Sequence, residues 1–316
     1  MIAAMRVRMP SLRWPARLAA AVLLGVLLVR FGAGPFAAGL QRLTGFAVLA
    51  ALGLTAVATV VSAWRWSLLS RAMGSPLPLG TAIASYYRSQ LLNSVLPGGV
   101  TGDVERGLRS TGLQGRRLHG LRVVAWDRGA AQLVQLAVIA AVLLASAGPL
   151  RIGGGVVAAA LGTAIGGALL VRRSVPRSSG GRAARAAASF RQDLHRIAAR
   201  PGTVLGVVGA SLVVVLLHAS VFVLAAAVTV GSFDPVRMLP LALAVQAVMA
   251  IPVGLGGLGP REGMAAVVFA GAGLGAAQGV TAAIAYGALA LIAVLPGVIP
   301  LLLAHRHRLP AEGGAG

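Results

Sequence analysis

The chain has 316 residues, 57% of them hydrophobic and only 11% charged, with a mean hydropathy of +0.86. That leaves too little polar surface to clothe a water-soluble body, so lipid must be the solvent for most of the molecule. The formal net charge is +21 and all 28 basic residues are arginine, so without lysine or cysteine there is no phosphate-binding G-x-x-x-x-G-K-[ST] loop, no Schiff-base nucleophile, no thiol catalysis and no disulfide.

Apolar runs approaching the roughly 20 residues that span a bilayer occur at Leu18 to Phe36, Phe46 to Ala63, Leu121 to Ala147, Gly153 to Val171, Val204 to Val230 and Met238 to Leu258. Two shorter runs follow, Met264 to Gly275 and Val280 to Ala304. The expected fold is therefore all-α: a polytopic membrane protein of about eight transmembrane helices with two re-entrant or broken-helix segments. Residues 1–316 form a single integral membrane domain.

The arginines sit in short clusters between apolar runs, without the interleaved aromatics of a nucleic-acid groove, so no nucleic-acid partner is expected. The positive-inside rule accounts for them. It puts the N-terminus, the segment from Arg65 through Arg122, the basic linker 172–202 and the tail 305–316 in the cytoplasm, with a surface helix around Ala183 to Ala199 in the linker. The crossings alternate correctly only if Leu79 to Leu96 enters the membrane without crossing it. The first run resembles a signal peptide, but no clear A-x-A site follows Arg30, and it reads as an uncleaved helix.

Only seven acidic residues exist. Asp193, Asp234 and Glu312 read as loop or tail residues. Asp103, Glu105, Asp127 and Glu262 instead lie within a span or beside a Gly/Pro break, where an ion needs a partner. Asp127 and Arg128 stand a few residues inside the third span, and neighbours in a helix do not face each other, so each should pair with another segment. Arg128, Gln132 and Gln135 fall on one stripe at helical spacing. On a helix through Tyr86 to Leu96, Tyr86, Ser89, Gln90 and Asn93 share a face, while Arg88 leans towards the apolar side and should point into the protein or snorkel. The five histidines show no metal spacing, and no cofactor is expected.

Two breaks interrupt the apolar sequence. In the first, Pro97, Gly98, Gly99 and Gly102 precede Asp103, Glu105 and Arg106; in the second, Pro252 to Pro260, including Gly257 and Gly259, precede Arg261 and Glu262. Broken backbone at membrane depth survives only where protein or water satisfies its polar groups, and paired interrupted segments in two halves point to a transport site at the interface of inverted repeats. Glycine admits an anion close to backbone N–H groups, and arginine binds phosphate bidentately. The two breaks are expected to approach one another around a polar cavity. Its residues would be Arg88, Asn93, Pro97, Gly98, Gly99, Gly102, Asp103, Glu105, Arg106, Asp127, Arg128, Gly257, Gly259, Arg261 and Glu262. Helix packing alone is the plainer explanation of the same residues.

The run Leu92 to Asp103, with Trp126-Asp127-Arg128 and Gly256-Gly257-Leu258-Gly259-Pro260-Arg261-Glu262 downstream, resembles the lysylphosphatidylglycerol synthase transmembrane-region family. The resemblance runs from the second span to the last. It implies a flippase-like protein similar to the membrane module of the multiple peptide resistance factor. Thr101 stands where that family usually has another glycine, and nothing in this sequence resembles the soluble aminoacyltransferase domain. The implied activity is translocation of an anionic or aminoacylated phospholipid, or a polyprenyl-phosphate lipid, between leaflets of a bacterial plasma membrane. Membrane lipids are the expected partners, with a cytoplasmic or membrane lipid-modifying enzyme as a second. The alternatives are a membrane-embedded transferase using Asp103 or Glu262 as general base, or a non-transporting partner of a lipid synthase.

Overall fold

The computed structural model describes residues 25, 29, 33–96, 99–110, 117–174, 182–231, 234–249 and 259–306. The helices are α1 (Gly34–Gln41), α2 (Gly45–Ala72), α3 (Leu79–Val95), α4 (Thr101–Arg109), α5 (Arg117–Ala145), α6 (Pro149–Ser174) and α7 (Arg182–Ala198). They continue as α8 (Pro201–Val230), α9 (Pro235–Met249), α10 (Pro260–Gly271) and α11 (Ala276–Val294). A 3-10 turn, Leu295–Gly297, then leads into α12 (Val298–Arg306).

Four of these stretches are long and apolar enough to cross a membrane: Gly45–Ala72, Leu118–Ala145, Pro201–Val230 and Ala276–Leu303. At 1.5 Å per residue, 28 residues extend about 42 Å, more than the roughly 30 Å of bilayer hydrocarbon. The protein is therefore a multi-pass membrane protein. The apolar run from Met264 forms only the 12-residue α10, about 18 Å long, which is too short to cross unaided. The run at Met238 ends as a described helix at Met249, and most of the first expected span lies outside the described residues.

Local chemistry starts and stops these helices. The Thr44 hydroxyl accepts the Ala47 N–H at 3.2 Å to cap α2, Pro201 occupies the first turn of α8, and the Asp234 carboxylate accepts the Val236 N–H at 2.9 Å ahead of α9. Alanines at 47, 51, 58 and 63 are buried on α2, where small side chains let helices approach closely.

Two of the three apolar clusters among the described residues carry most of the packing, the third being Ala266 with Val280. The larger is built on α8 to α11 around Phe222, whose ring centroid lies 6.3 Å from Phe269 and 5.5 Å from Tyr286. The smaller joins α2, α3 and α5 through Trp66, Leu69, Met73, Tyr86, Val123 and Val124. Each of these two clusters seats one polar centre. The helix α3 packs inside the bundle against α2, α4, α11 and the Leu295–Gly297 turn.

Asp193, expected in a loop, is instead fully buried on α7, where its carboxylate accepts from Arg122 Nε at 2.9 Å and Nη2 at 2.5 Å. Phe190, one turn earlier, stacks on Trp126 with centroids 4.6 Å apart. The basic linker thus contributes a helix docked on the N-terminal part of α5, because the acid and Ile197 share the face that meets the bundle.

Candidate functional site

The first polar centre gathers side chains from four helices. Asp127 on α5 is fully buried. Its Oδ1 accepts from Arg65 Nε of α2 at 2.9 Å, and its Oδ2 accepts from Arg106 Nη2 of α4 at 3.1 Å and from the Tyr86 hydroxyl of α3. Arg65 reaches further, donating to Tyr86 Oη at 3.3 Å and to Ser211 Oγ on α8 at 3.2 Å. A carboxylate in this setting is tolerable only because every oxygen is matched.

Asp103, three residues before Arg106, forms the second node. It accepts from Ser89 Oγ at 3.1 Å, Asn93 Nδ2 at 3.0 Å, Arg106 Nη2 at 3.1 Å and Arg128 Nε at 2.8 Å. Arg106 therefore joins both carboxylates. Its guanidinium carbon lies 4.4 Å from the Trp66 ring centroid and 4.0 Å from that of Tyr86, so aromatic faces cover the plate while one amino group serves the acids. Arg106 Nε and Nη1 have no hydrogen-bond partner among the described residues. Beside this pair, Arg88 is buried and donates to Glu105 Oε2 at 3.0 Å, and Arg109 pairs with the same carboxylate.

The first break shapes the centre. Asn93 Oδ1 accepts the Gly102 N–H at 2.8 Å, which satisfies an orphan donor at the start of α4. A Cβ on Gly102 would lie 2.7 Å from Ser89 Cα, so only glycine lets α4 press this closely on α3. Gly99 takes a positive φ of 59° in the turn itself, whereas Pro97 and Gly98 lie outside the described residues.

Asp127 is paired with other helices, as adjacent-residue geometry requires. Arg128 also meets another segment, bonding Asp103 on α4, with its side chain 52% exposed. It sits on the outer side of α5, and its guanidinium is the outermost member of the centre. Further along the same stripe, Gln135 Nε2 donates to the Gln246 carbonyl at 3.5 Å, and the Nε2 groups of Gln132 and Gln246 are buried without partners among the described residues.

The second break builds its own centre. The Gly259 N–H donates to Glu262 Oε2 at 2.6 Å, and Arg261 donates to Glu262 Oε1 from Nε at 2.9 Å and from Nη2 at 2.5 Å. Adjacent residues meet here because they sit in the first turn of α10, where side chains can fold back over the free helix end. Gly257 is outside the described residues. Arg261 lies 5.6 Å from the Tyr286 ring centroid and fills the space beside Gly287. A Gly287→Ala methyl would meet the Arg261 guanidinium, its Cβ 2.7 Å from Cζ. The substitution should lower stability by about 1–3 kcal/mol, read as a fall in melting temperature in detergent.

Among the described residues no hydrogen bond or ion pair joins the two centres, and the expected approach of the two breaks falls largely on residues 97–98 and 251–258, which lie outside the described residues. Both centres touch α11. Arg261 meets it at Gly287, and α3 meets the turn beyond it at Gly297, ten residues or about 15 Å further along.

This arrangement, with a glycine-led α4 clamped on α3 by Asp103 and a Gly-Pro-Arg-Glu start to α10, sits in a chain whose residues 15–297 match the model of the lysylphosphatidylglycerol synthase transmembrane region. The chain belongs to this family. No curated protein matches it. Membership in the lysylphosphatidylglycerol synthase transmembrane-region family links this membrane protein to lipid metabolism. Within it, Arg65 is the member of the charge network that the apolar pattern conceals. Its sign in the sequence is the hydroxyl series Thr55, Thr59 and Ser62, spaced for one helical face and buried, which leads directly to Arg65.

Proposed function

We propose that this protein moves an anionic or aminoacylated phospholipid, or a polyprenyl-phosphate lipid, between the leaflets of a bacterial plasma membrane. The observation that carries this reading is the charge balance of the first centre. Among the described residues, the ion pairs of Arg65, Arg88, Arg106, Arg109 and Arg128 run to Asp103, Glu105 and Asp127, so arginine exceeds carboxylate in this centre. The half-exposed Arg128 offers that excess at the edge, and guanidinium is suited to a lipid phosphate. The carboxylates would balance the arginines or meet an aminoacyl ammonium.

Asp103 already accepts from four side chains, and Glu262 from Arg261 and the Gly259 backbone. A carboxylate so occupied is a poor general base, which favours translocation over a transferase reaction. Reconstitution into liposomes with headgroup-labelled lipids tests the proposal. Leaflet exchange without covalent change is the expected result, and a new lipid product would instead establish an enzyme.

The same reading takes α3 as a helix that enters the membrane without crossing, with about eight crossings in all and both termini cytoplasmic. A reporter fused at Gly180 should then report the cytoplasm. An external signal there would overturn the orientation.

A further inference from the structure

We infer that the cleft between the C-terminal end of α2 and the helix α7 is a second anion site, built for a phosphate group and separate from the charge network around Asp127. The cleft has a volume of about 450 Å³ and is lined by Ala72, Met73, Gly74, His119, Arg196 and Arg200. His119 lies eight residues before Asp127 on α5, about 12 Å along the helix, so this opening is not the first polar centre.

Charge accounting points to a ligand from outside. Every described acidic residue is already paired with a different arginine: Asp103 with Arg106 and Arg128, Glu105 with Arg88 and Arg109, and Asp127 with Arg65 and Arg106. Asp193 is paired with Arg122, Asp234 with Arg237 and Glu262 with Arg261. None reaches Arg196 or Arg200, and Arg196 has no hydrogen bond or ion pair among the described residues. Arg200 is held at the rim by Nη1, which donates to the Arg71 carbonyl at 3.3 Å and caps the end of α2, leaving its other donors free to turn to the cleft.

The position of both arginines is fixed by buried anchors. The Arg122–Asp193 pair and the buried Ile197 pin α7, so Arg196, three residues beyond Asp193, stands over the opening on an ordered helix. The floor is apolar, since Ala72 and Met73 are 4% and 2% exposed. Two guanidinium groups above an apolar floor suit a phosphate attached to a less polar body. A phospholipid headgroup and a soluble phosphate share that chemistry, and experiment separates them.

The test uses the full chain in nanodiscs of phosphatidylcholine, with and without phosphatidylglycerol, and measures lipid retention by native mass spectrometry and inorganic phosphate binding by calorimetry. Replacing one charge-assisted contact should weaken binding by at least about tenfold. R196Q/R200Q should therefore lose either the preference for phosphatidylglycerol or the phosphate binding, while Arg237→Gln, on an exposed surface, keeps both. Lost lipid preference assigns the site to a membrane lipid, and lost phosphate binding assigns it to a soluble anion. If the double variant is unstable in phosphatidylcholine discs, Arg196→Gln alone carries the measurement, because it leaves the Arg200 cap in place. Equal retention and equal phosphate binding in the wild type and the variant would overturn the site.

Discussion

Asp127→Ala should destabilise the protein by about 3–5 kcal/mol, because it strips the shared carboxylate from two buried guanidinium groups in a low-dielectric interior. Arg65 would keep only the neutral oxygens of Tyr86 and Ser211, and Arg106 would keep only Asp103. The Tyr86 hydroxyl would lose its acceptor as well. The melting temperature in mild detergent should fall sharply, with loss of folded yield. Combining Asp127→Leu with Arg65→Met should recover part of that loss, since an apolar pair removes the isolated charge along with its partner. Wild-type stability of Asp127→Ala would show that the ion network does not hold these four helices together.

Arg128→Gln should do the reverse, leaving the fold intact and slowing lipid movement by about ten- to hundredfold, the equivalent of one charge-assisted contact of about 1.5–3 kcal/mol. Asp103 would still accept from Ser89, Asn93 and Arg106, and the lost pair is half-exposed, where ion pairs contribute about 0–1 kcal/mol. Leaflet exchange in liposomes, normalised to folded protein, reads the effect. The exposed Arg237→Gln serves as control. A folded Arg128→Gln that exchanges lipid at the wild-type rate would remove Arg128 from the transport site.

Apolar run length made the long helices legible, and the scarcity of acids made Asp103, Asp127 and Glu262 conspicuous. The face shared by Tyr86, Ser89 and Asn93 followed from helical spacing, and all three bond the two buried aspartates. Partner identity did not follow. Arg65 and Asp127 are 62 residues apart, and periodicity specifies a face without naming what covers it. The same gap explains Arg128, whose place on a helical stripe did not name Asp103 as its partner. Asp193 was hidden by composition, because its Arg- and Ala-rich surroundings read as solvated linker while its partner Arg122 lies 71 residues away. The self-contained Arg261–Glu262 pair depends on the freedom of a helix's first turn, which a mid-helix spacing rule does not describe.

The ion network divides the bundle mechanically. Arg65, Tyr86, Arg106 and Asp127 weld α2, α3, α4 and α5 into a stiff block, because any shear within it would separate charges inside the protein. Across to α8 and α9, the directional links among the described residues are the Arg65–Ser211 and Gln135–Gln246 hydrogen bonds and, at the start of α8, the Arg200–Arg71 bond, set in largely apolar packing. A shear between the two blocks would therefore break fewer charged contacts than a shear within the first. The boundary between the blocks runs beside Gln132 and Gln246, whose amide nitrogens are buried with no hydrogen-bond partner among the described residues.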